Sequence, residues 1–155
     1  MALAPYLISE GILVLEPASD LESVLTRAAD IAAAAMSGSD PAISSEKLLD
    51  ALQAREVQSS TGTPEGVAFP HALVPGLPRS LVVVMHARTA VHFDGYRCDL
   101  IFAMFGDATQ PWEHVRLLAR LARLTATPEA RDRLRAAESD EALRTAIQAE
   151  DEAHG

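Results

Sequence analysis

The sequence predicts an α/β fold with a mixed central β-sheet that is flanked by helices on both faces. Apolar runs rich in β-branched and aromatic residues at 81–85 and 100–105 lack polar alternation, which is typical of central strands covered on both sides. Segments with apolar residues at i, i+3, i+4 and i+7 precede and follow these runs. We expect one domain over residues 1–155, since a chain near 150 residues can bury a sizeable core.

The chain opens with a predicted strand and a predicted helix. The strand is the apolar run at residues 12–15, which a proline ends two positions later. Ser19 and Glu22 form an S-x-x-E capping box, and apolar residues recur behind it at helical spacing. We therefore expect the first helix to begin at Ser19 and to end near Gly38 and Pro41.

A second helix and three strands are predicted in the middle of the chain. Ser44 or Ser45 can cap the helix, whose leucines continue to about Glu56, and the polar stretch SSTGTPEG then forms a loop. The runs VAF, SLVVVMHA and CDLIFAMF predict strands, separated by PGLPR and by a turn at Asp94 and Gly95.

Three helices are predicted in the last third. Pro111 lies near the start of the first, which runs to about Leu124. Thr127 begins the next, and the last covers residues 140–150. Together with the two earlier helices they provide cover for both faces of the sheet.

Charge and composition exclude several classes of function. The chain has 155 residues, with 13 Lys and Arg against 22 Asp and Glu, and its net charge of −9 opposes binding to a nucleic-acid backbone. No apolar run approaches the ~20 residues of a membrane helix. The single Cys98 permits no internal disulfide and is expected to be buried, and no signal peptide is apparent, so we expect a cytoplasmic protein.

One segment carries the most specific chemical signal. In ALQAREVQSSTGTPEGVAFPHA, residues 51–72, a helix, a loop and a strand lead to Pro70 and His71. Because Pro70 fixes its own φ and favours an extended Phe69, we expect the strand to stop there and His71 to lie at an exposed edge where the chain leaves the sheet. A neutral imidazole has a lone pair that can attack phosphorus, provided that cations or donors surround the phosphoryl oxygens.

The motif STGTPEGVAFPHA, followed downstream by WEHVRLLARLARL, resembles the fructose/mannitol-type enzyme IIA domain of the bacterial sugar phosphotransferase system, a group that includes nitrogen-regulatory IIA proteins. The resemblance implies that fold, and a phosphoryl group accepted on His71 from the histidine-containing phosphocarrier protein. It implies further site roles for the helix histidine, His114, for Arg55 sixteen residues before the acceptor, and for Glu65 six residues before it. Leu73 stands where family members often carry a basic residue, so one local cation of the family pattern is missing.

The spacing of the third long helix supports the second histidine independently. His114 shares one helical face with several leucines, so its side chain is expected to point inward. Arg116, Arg120 and Arg123 lie on the other face and predict a solvated surface, where Glu113 can pair with Arg116.

Plainer explanations remain open for three candidates. His114 can be a core histidine, Arg55 a cation that favours its helix C-terminus, and Glu65 a polar turn residue. Ser60 and Thr61 are expected only to form hydrogen bonds within the loop.

No metal or other cofactor is expected. The histidines, among them His86 and His92, lack the spacing of a metal site, and no nucleotide-binding glycine motif is present.

Two functions stay open. The protein is a phosphocarrier that passes the group to a IIB cysteine of a sugar permease, or a regulatory module whose phosphorylation state is sensed by kinases or ion transporters. The absence of a fused IIB or IIC segment favours regulation slightly, and a metal hydrolase is a remote third alternative.

Overall fold

A computed structural model describes residues 1–39 and 42–155. A short 3-10 turn, Ala4–Tyr6, precedes the first strand. The regular elements of the described ranges follow in the order β1 (Leu7–Leu15), α1 (Leu21–Ala35), α2 (Ser45–Gln58), β2 (Val67–Ala68), β3 (His71–Leu73), β4 (Leu81–Phe93), β5 (Tyr96–Gly106), α3 (Pro111–Leu124), α4 (Pro128–Arg135) and α5 (Asp140–Ala153).

The strands form one mixed sheet, as predicted. Its order is β1-β4-β5-β2, and β3 also pairs with β5. β4 and β5 form an antiparallel hairpin around Asp94 and Gly95, which both have positive φ, as a tight hairpin turn requires. β1 runs parallel to β4, and β2 and β3 both run parallel to β5. The two short strands therefore depend on one long strand for their register.

Helices cover both faces of this sheet, which confirms the predicted architecture. On one face, α1 and α2 pack on a core that includes Leu25, Leu52 and Phe105. On the other face, the core contains Phe102 of β5 and Leu121 of α3, together with leucines from α4 and α5. None of the helices in the described ranges has the length and apolar character to cross a membrane.

The first helix does not begin with the predicted capping box. Asp20 is the N-cap, and its carboxylate accepts a hydrogen bond of 2.8 Å from the backbone N–H of Ser23. The hydroxyl of Ser19 instead donates to the carbonyl of Pro17. A carboxylate is the better partner for the positive end of a helix, which explains the shift by one residue. α1 ends at Ala35, and Pro41 lies outside the described residues.

The remaining boundaries differ from the predictions at their ends. Ser44 caps α2, one of the two residues predicted, and the helix continues to Gln58. Strand β1 starts at Leu7, well before residue 12, with an irregularity before Ile12. The predicted starts of the last three helices are confirmed, while α5 extends to Ala153.

The predicted solvated arginine face of α3 is wrong at Arg120. Its side chain is only 3% exposed and pairs with Asp151 of α5, 2.6 Å away. Asp151 also accepts hydrogen bonds from the backbone of Leu3, so α5 and the N-terminal segment both pack over this part of α3. Arg116 and Arg123 are exposed as predicted. Helical periodicity identifies a polar face but not what another helix places on it.

Glu113 also has partners other than the one predicted. Its carboxylate accepts hydrogen bonds from the hydroxyl of Ser80, the residue before β4, and from the hydroxyl of Tyr6, at 3.4 Å. No ion pair joins Glu113 to Arg116 in the described ranges. The first turn of α3 is thereby tied to the sheet and to the N-terminal turn.

Candidate active site

The backbone around Pro70 determines where His71 lies. β2 ends at Ala68, and the chain rejoins β5 at His71, opposite Met104. Pro70 cannot donate to the ladder, but its carbonyl accepts a hydrogen bond of 2.9 Å from Met104. The expectation that His71 lies at an exposed edge where the chain leaves the sheet is therefore wrong. His71 is half-buried and begins β3.

Two hydrogen bonds fix the tautomer of His71. Nδ1 lies 3.1 Å from the carbonyl oxygen of Phe69, which can only accept, so Nδ1 carries the hydrogen. Arg55 donates from Nε to Nε2 of His71, also at 3.1 Å, so Nε2 has the lone pair. The carbonyl of Phe69 is available because the ladder is interrupted at Pro70. The ring nitrogen with the lone pair is thus Nε2, and it faces a guanidinium.

The environment keeps this imidazole uncharged near neutral pH. Burial lowers the pKa of His71 below its usual value, and the positive charge of Arg55 lowers it further. The hydrogen bond to Phe69 and, to a smaller extent, the negative charge of Glu56 oppose this lowering of the pKa without reversing it. A neutral ring is the form that can attack phosphorus.

His114 lies directly beside the first histidine. It belongs to the first turn of α3, its ring centroid is 4.7 Å from that of His71, and the two rings are tilted by 46°. Burial, and then the charges of His71 and Arg55, lower the pKa of His114 to about 4. The expectation that this side chain points inward is confirmed, since the half-buried ring faces the sheet. At pH 7 the site contains two neutral imidazoles.

Arg55 lies in the last turn of α2, where its guanidinium has two sets of partners. Nη1 donates to the carbonyl of Ser59, at 2.7 Å, and to its hydroxyl, at 3.4 Å, while Nε reaches His71. The arginine therefore forms hydrogen bonds at the C-terminal end of its own helix and also contacts the histidine pair. The interpretation of Arg55 as a cation at the helix C-terminus is therefore compatible with its interpretation as a site residue.

The structure does not bring Glu65 to the histidine pair. Glu65 is exposed, and the next residue, Gly66, accepts a hydrogen bond from Leu100 of β5. His71 lies opposite Met104, four residues along the same strand, which corresponds to roughly 13 Å. Three of the four predicted site residues are therefore brought together.

Sequence reasoning overlooked Glu56. Its carboxylate accepts hydrogen bonds from the hydroxyl and, at 3.2 Å, from the backbone N–H of Thr61. An acidic side chain in the last turn of a helix opposes the helix dipole, and this unfavourable position was the signal that it has a partner. Ser60 and Thr61 do form loop hydrogen bonds as expected, Ser60 with the carbonyl of Phe93.

The other histidines and the cysteine lie apart from this pair. His86 is buried, with Nδ1 3.0 Å from the carbonyl of Ala137, and His92 is exposed on the β4–β5 hairpin. Cys98 is buried as expected, and burial raises the pKa of its thiol. Within residues 1–39 and 42–155, no group of three or more His, Cys, Asp or Glu side chains is arranged to hold a metal ion.

Comparison with known proteins agrees with the fold. The chain is 32% identical, over 134 residues, to a nitrogen regulatory protein of Pseudomonas aeruginosa, and the alignment covers 84% of each chain. The crystal structure of nitrogen regulatory protein IIA-Ntr from Neisseria meningitidis superposes with a TM-score of 0.79 at 25% identity, covering 92% of this chain and 97% of that one. A mannitol enzyme IIA from Escherichia coli, solved in complex with phosphorylated enzyme IIB, has the same fold, with a TM-score of 0.68 at 16% identity over 88% of this chain and 94% of that one.

The match to a protein family covers almost the whole chain. Residues 6–150 match the sequence profile of the phosphoenolpyruvate-dependent sugar phosphotransferase system, EIIA 2. The matched range contains every strand and both histidines of the pair. The chain therefore belongs to the EIIA 2 family of the phosphoenolpyruvate-dependent sugar phosphotransferase system.

Proposed function

We propose that this protein is a phosphohistidine carrier that accepts a phosphoryl group on Nε2 of His71. The observation that carries the proposal is the geometry of that ring, with Nδ1–H on the carbonyl of Phe69 and the Nε2 lone pair towards Arg55. The donor is the histidine-containing phosphocarrier protein that the family resemblance implies, and the reaction takes place in the cytoplasm.

The transfer step follows from these contacts. The lone pair of Nε2 attacks phosphorus in line with the N–P bond of the donor, and the electron pair of that bond returns to the donor's ring nitrogen. The hydrogen on Nδ1 stays in place, on the carbonyl of Phe69. Arg55 gives up its bond to Nε2 and turns to the phosphoryl oxygens, which suit a guanidinium well. His114 is within reach to donate its ring N–H to the same oxygens.

Two destinations are compatible with this chemistry. In onward transfer, the acceptor is a IIB domain, the kind of partner present in the solved mannitol complex. In regulation, the phosphoryl group adds about −1.5 to −2 charges to a docking surface, and a partner protein senses that change. The nitrogen regulatory relatives favour the second destination.

One experiment tests carriage and separates the destinations. The protein is incubated with phosphoenolpyruvate, enzyme I and the histidine phosphocarrier, and intact mass is recorded before and after a IIB protein is added. We expect a gain of one phosphoryl group. Loss of that group to IIB supports onward transfer, and retention supports regulation. No gain in mass, with a known IIA labelled in parallel, contradicts the proposal.

Arg55→Ala is expected to slow phosphorylation without unfolding the protein. A charge-assisted hydrogen bond contributes about 1.5–3 kcal/mol, so we expect a rate lower by roughly 10- to 100-fold. The measurement is the initial rate in a donor titration, with circular dichroism as a check on folding. Lys47→Ala is the matched control, because Lys47 is an exposed cation near the other end of the same helix. An unchanged rate would leave Arg55 as a helix-terminal cation only.

Trp112→Ala is expected to weaken docking of the donor. Trp112 is 77% exposed in the turn that carries His114, with Val115 beside it at 54%, and Val57 is 86% exposed in the last turn of α2. Exposed tryptophans at protein interfaces commonly contribute ~2 kcal/mol or more, so we expect KM for the donor to rise roughly 30-fold while the maximal rate stays the same.

The control for Trp112 is another exposed aromatic residue. Tyr96 is 37% exposed at the β4–β5 hairpin, and Tyr96→Ala should leave KM unchanged. Equal effects of the two substitutions would show that Trp112 has no special part in docking.

A further inference from the structure

The loop after α2 covers the outer edge of β2 and thereby holds Phe69. Gly62 forms an antiparallel bridge with Ala68, and the N–H of Phe69 donates to the carbonyl of Thr61 at 3.1 Å. Phe69 in turn supplies the carbonyl that receives Nδ1–H of His71. The position of that acceptor therefore depends on where Thr61 lies.

The side chain of Glu56 in α2 binds Thr61 through two hydrogen bonds. The carboxylate of Glu56 accepts the hydroxyl and the N–H of Thr61, so both of its oxygens are used. Thr61 is only 8% exposed, which shields these bonds from competition with water. The two bonds connect the end of α2 to the loop, and the loop to the strand that leads to His71.

We infer that Glu56 is a positioning residue that fixes the tautomer of His71 through Thr61 and the carbonyl of Phe69. The inference rests on the proposed function and adds to it, since no direct contact joins Glu56 to the ring. Two adjacent residues of α2 then act on the two ring nitrogens of His71, one on each. Arg55 contacts Nε2 directly, and Glu56 controls the partner of Nδ1 at a distance.

The consequence for the reaction follows from the two tautomers of imidazole. With Nδ1–H fixed, the lone pair is on Nε2, the side from which Arg55 and the donor approach. When Thr61 is released and the carbonyl of Phe69 shifts, the contact of Arg55 with Nε2 is left to oppose movement of the hydrogen to Nε2. In molecules where the hydrogen does move, the lone pair lies on Nδ1, on the wrong side of the ring. A molecule in that form is folded but cannot react.

The test compares Glu56→Ala with Glu56→Gln, whose amide oxygen can still accept the N–H of Thr61. Histidine labelled with ¹⁵N reports by NMR which ring nitrogen of His71 carries the hydrogen. We expect the Nδ1–H form alone in the wild type, a mixture of tautomers in Glu56→Ala, and substantial rescue in Glu56→Gln. The initial phosphorylation rate of Glu56→Ala should fall in proportion to the fraction of molecules that leave the Nδ1–H form, which is about twofold for an equal mixture. Glu46→Gln, an exposed residue of the first turn of α2, is the matched control.

Several outcomes decide the inference. A folded Glu56→Ala protein with the wild-type tautomer overturns it, even when the rate falls. Glu56→Leu, which fills a similar volume but accepts no hydrogen bond from Thr61, is used where Glu56→Ala does not fold; a wild-type tautomer in that variant also overturns the inference. The NMR readout needs no donor, so a wild type that takes up no phosphoryl group contradicts the proposed function while the tautomer comparison still decides the role of Glu56.

Discussion

His71→Ala is expected to take up no phosphoryl group at all, because it removes the proposed acceptor Nε2, whose lone pair faces the guanidinium of Arg55. The measurement is intact mass after incubation with the complete donor system. The phosphorylated wild type should lose the group in acid and keep it in base, as a phosphoramidate does. Fold should be retained, since the ring is half-buried at one end of a short strand.

His92→Ala is the matched control for this substitution. His92 is exposed on the β4–β5 hairpin, so its loss should leave labelling complete. Stoichiometric labelling of His71→Ala would show that another residue accepts the group, and His114, which is nearest, would then be the first alternative.

His114→Ala is expected to retain the acceptor but to slow transfer by roughly 10²- to 10³-fold. One preorganised donor facing developing charge contributes about 3–4 kcal/mol in a transition state. His114 has a pKa of about 4 in the resting site, so at pH 7 it donates from a neutral ring. A phosphoryl dianion beside it raises that pKa, because a negative charge stabilises the protonated form.

The rate and the stability of His114→Ala must be measured on the same preparation. We expect rapid-quench kinetics to show the slow transfer and thermal unfolding to show only a modest decrease in Tm. His86→Ala is a useful comparison, because His86 is a buried histidine remote from the site and should affect stability more than rate. A His114→Ala protein with low stability and a normal rate in its folded fraction would identify His114 as a core histidine.

The sheet and its helices could be predicted because their signals are local. Runs such as residues 100–105 are apolar on both faces, and Pro111 and Thr127 mark helix starts that need no tertiary information. The two histidines of the site could also be predicted from the sequence, since the spacing of α3 turns His114 inward and the motif identifies His71. These features depend on one element at a time.

The features that could not be predicted from the sequence depend on contacts between segments that are distant along the chain. Ser19 and Asp20 can both cap α1, and it is the carboxylate of Asp20 that accepts from the N–H of Ser23. Arg120 looks like a surface residue until α5 brings Asp151 to it. Glu65 was assigned by the family resemblance, as the glutamate six residues before His71, but the chain between them runs along β5 and carries Glu65 away from the histidine pair.

The contact between Arg55 and His71 also determines which ligands the site rejects. Two neutral imidazoles 4.7 Å apart would ordinarily be a good start for a Zn²⁺ or Cu²⁺ site. Here a guanidinium occupies the lone pair of one of them, and two unit positive charges 4 Å apart repel each other by about 4 kcal/mol near a protein surface, with twice that for a divalent ion. The same charge attracts a phosphoryl group. The charge of this arginine thus disfavours a transition-metal ion at the histidine pair and favours an oxyanion.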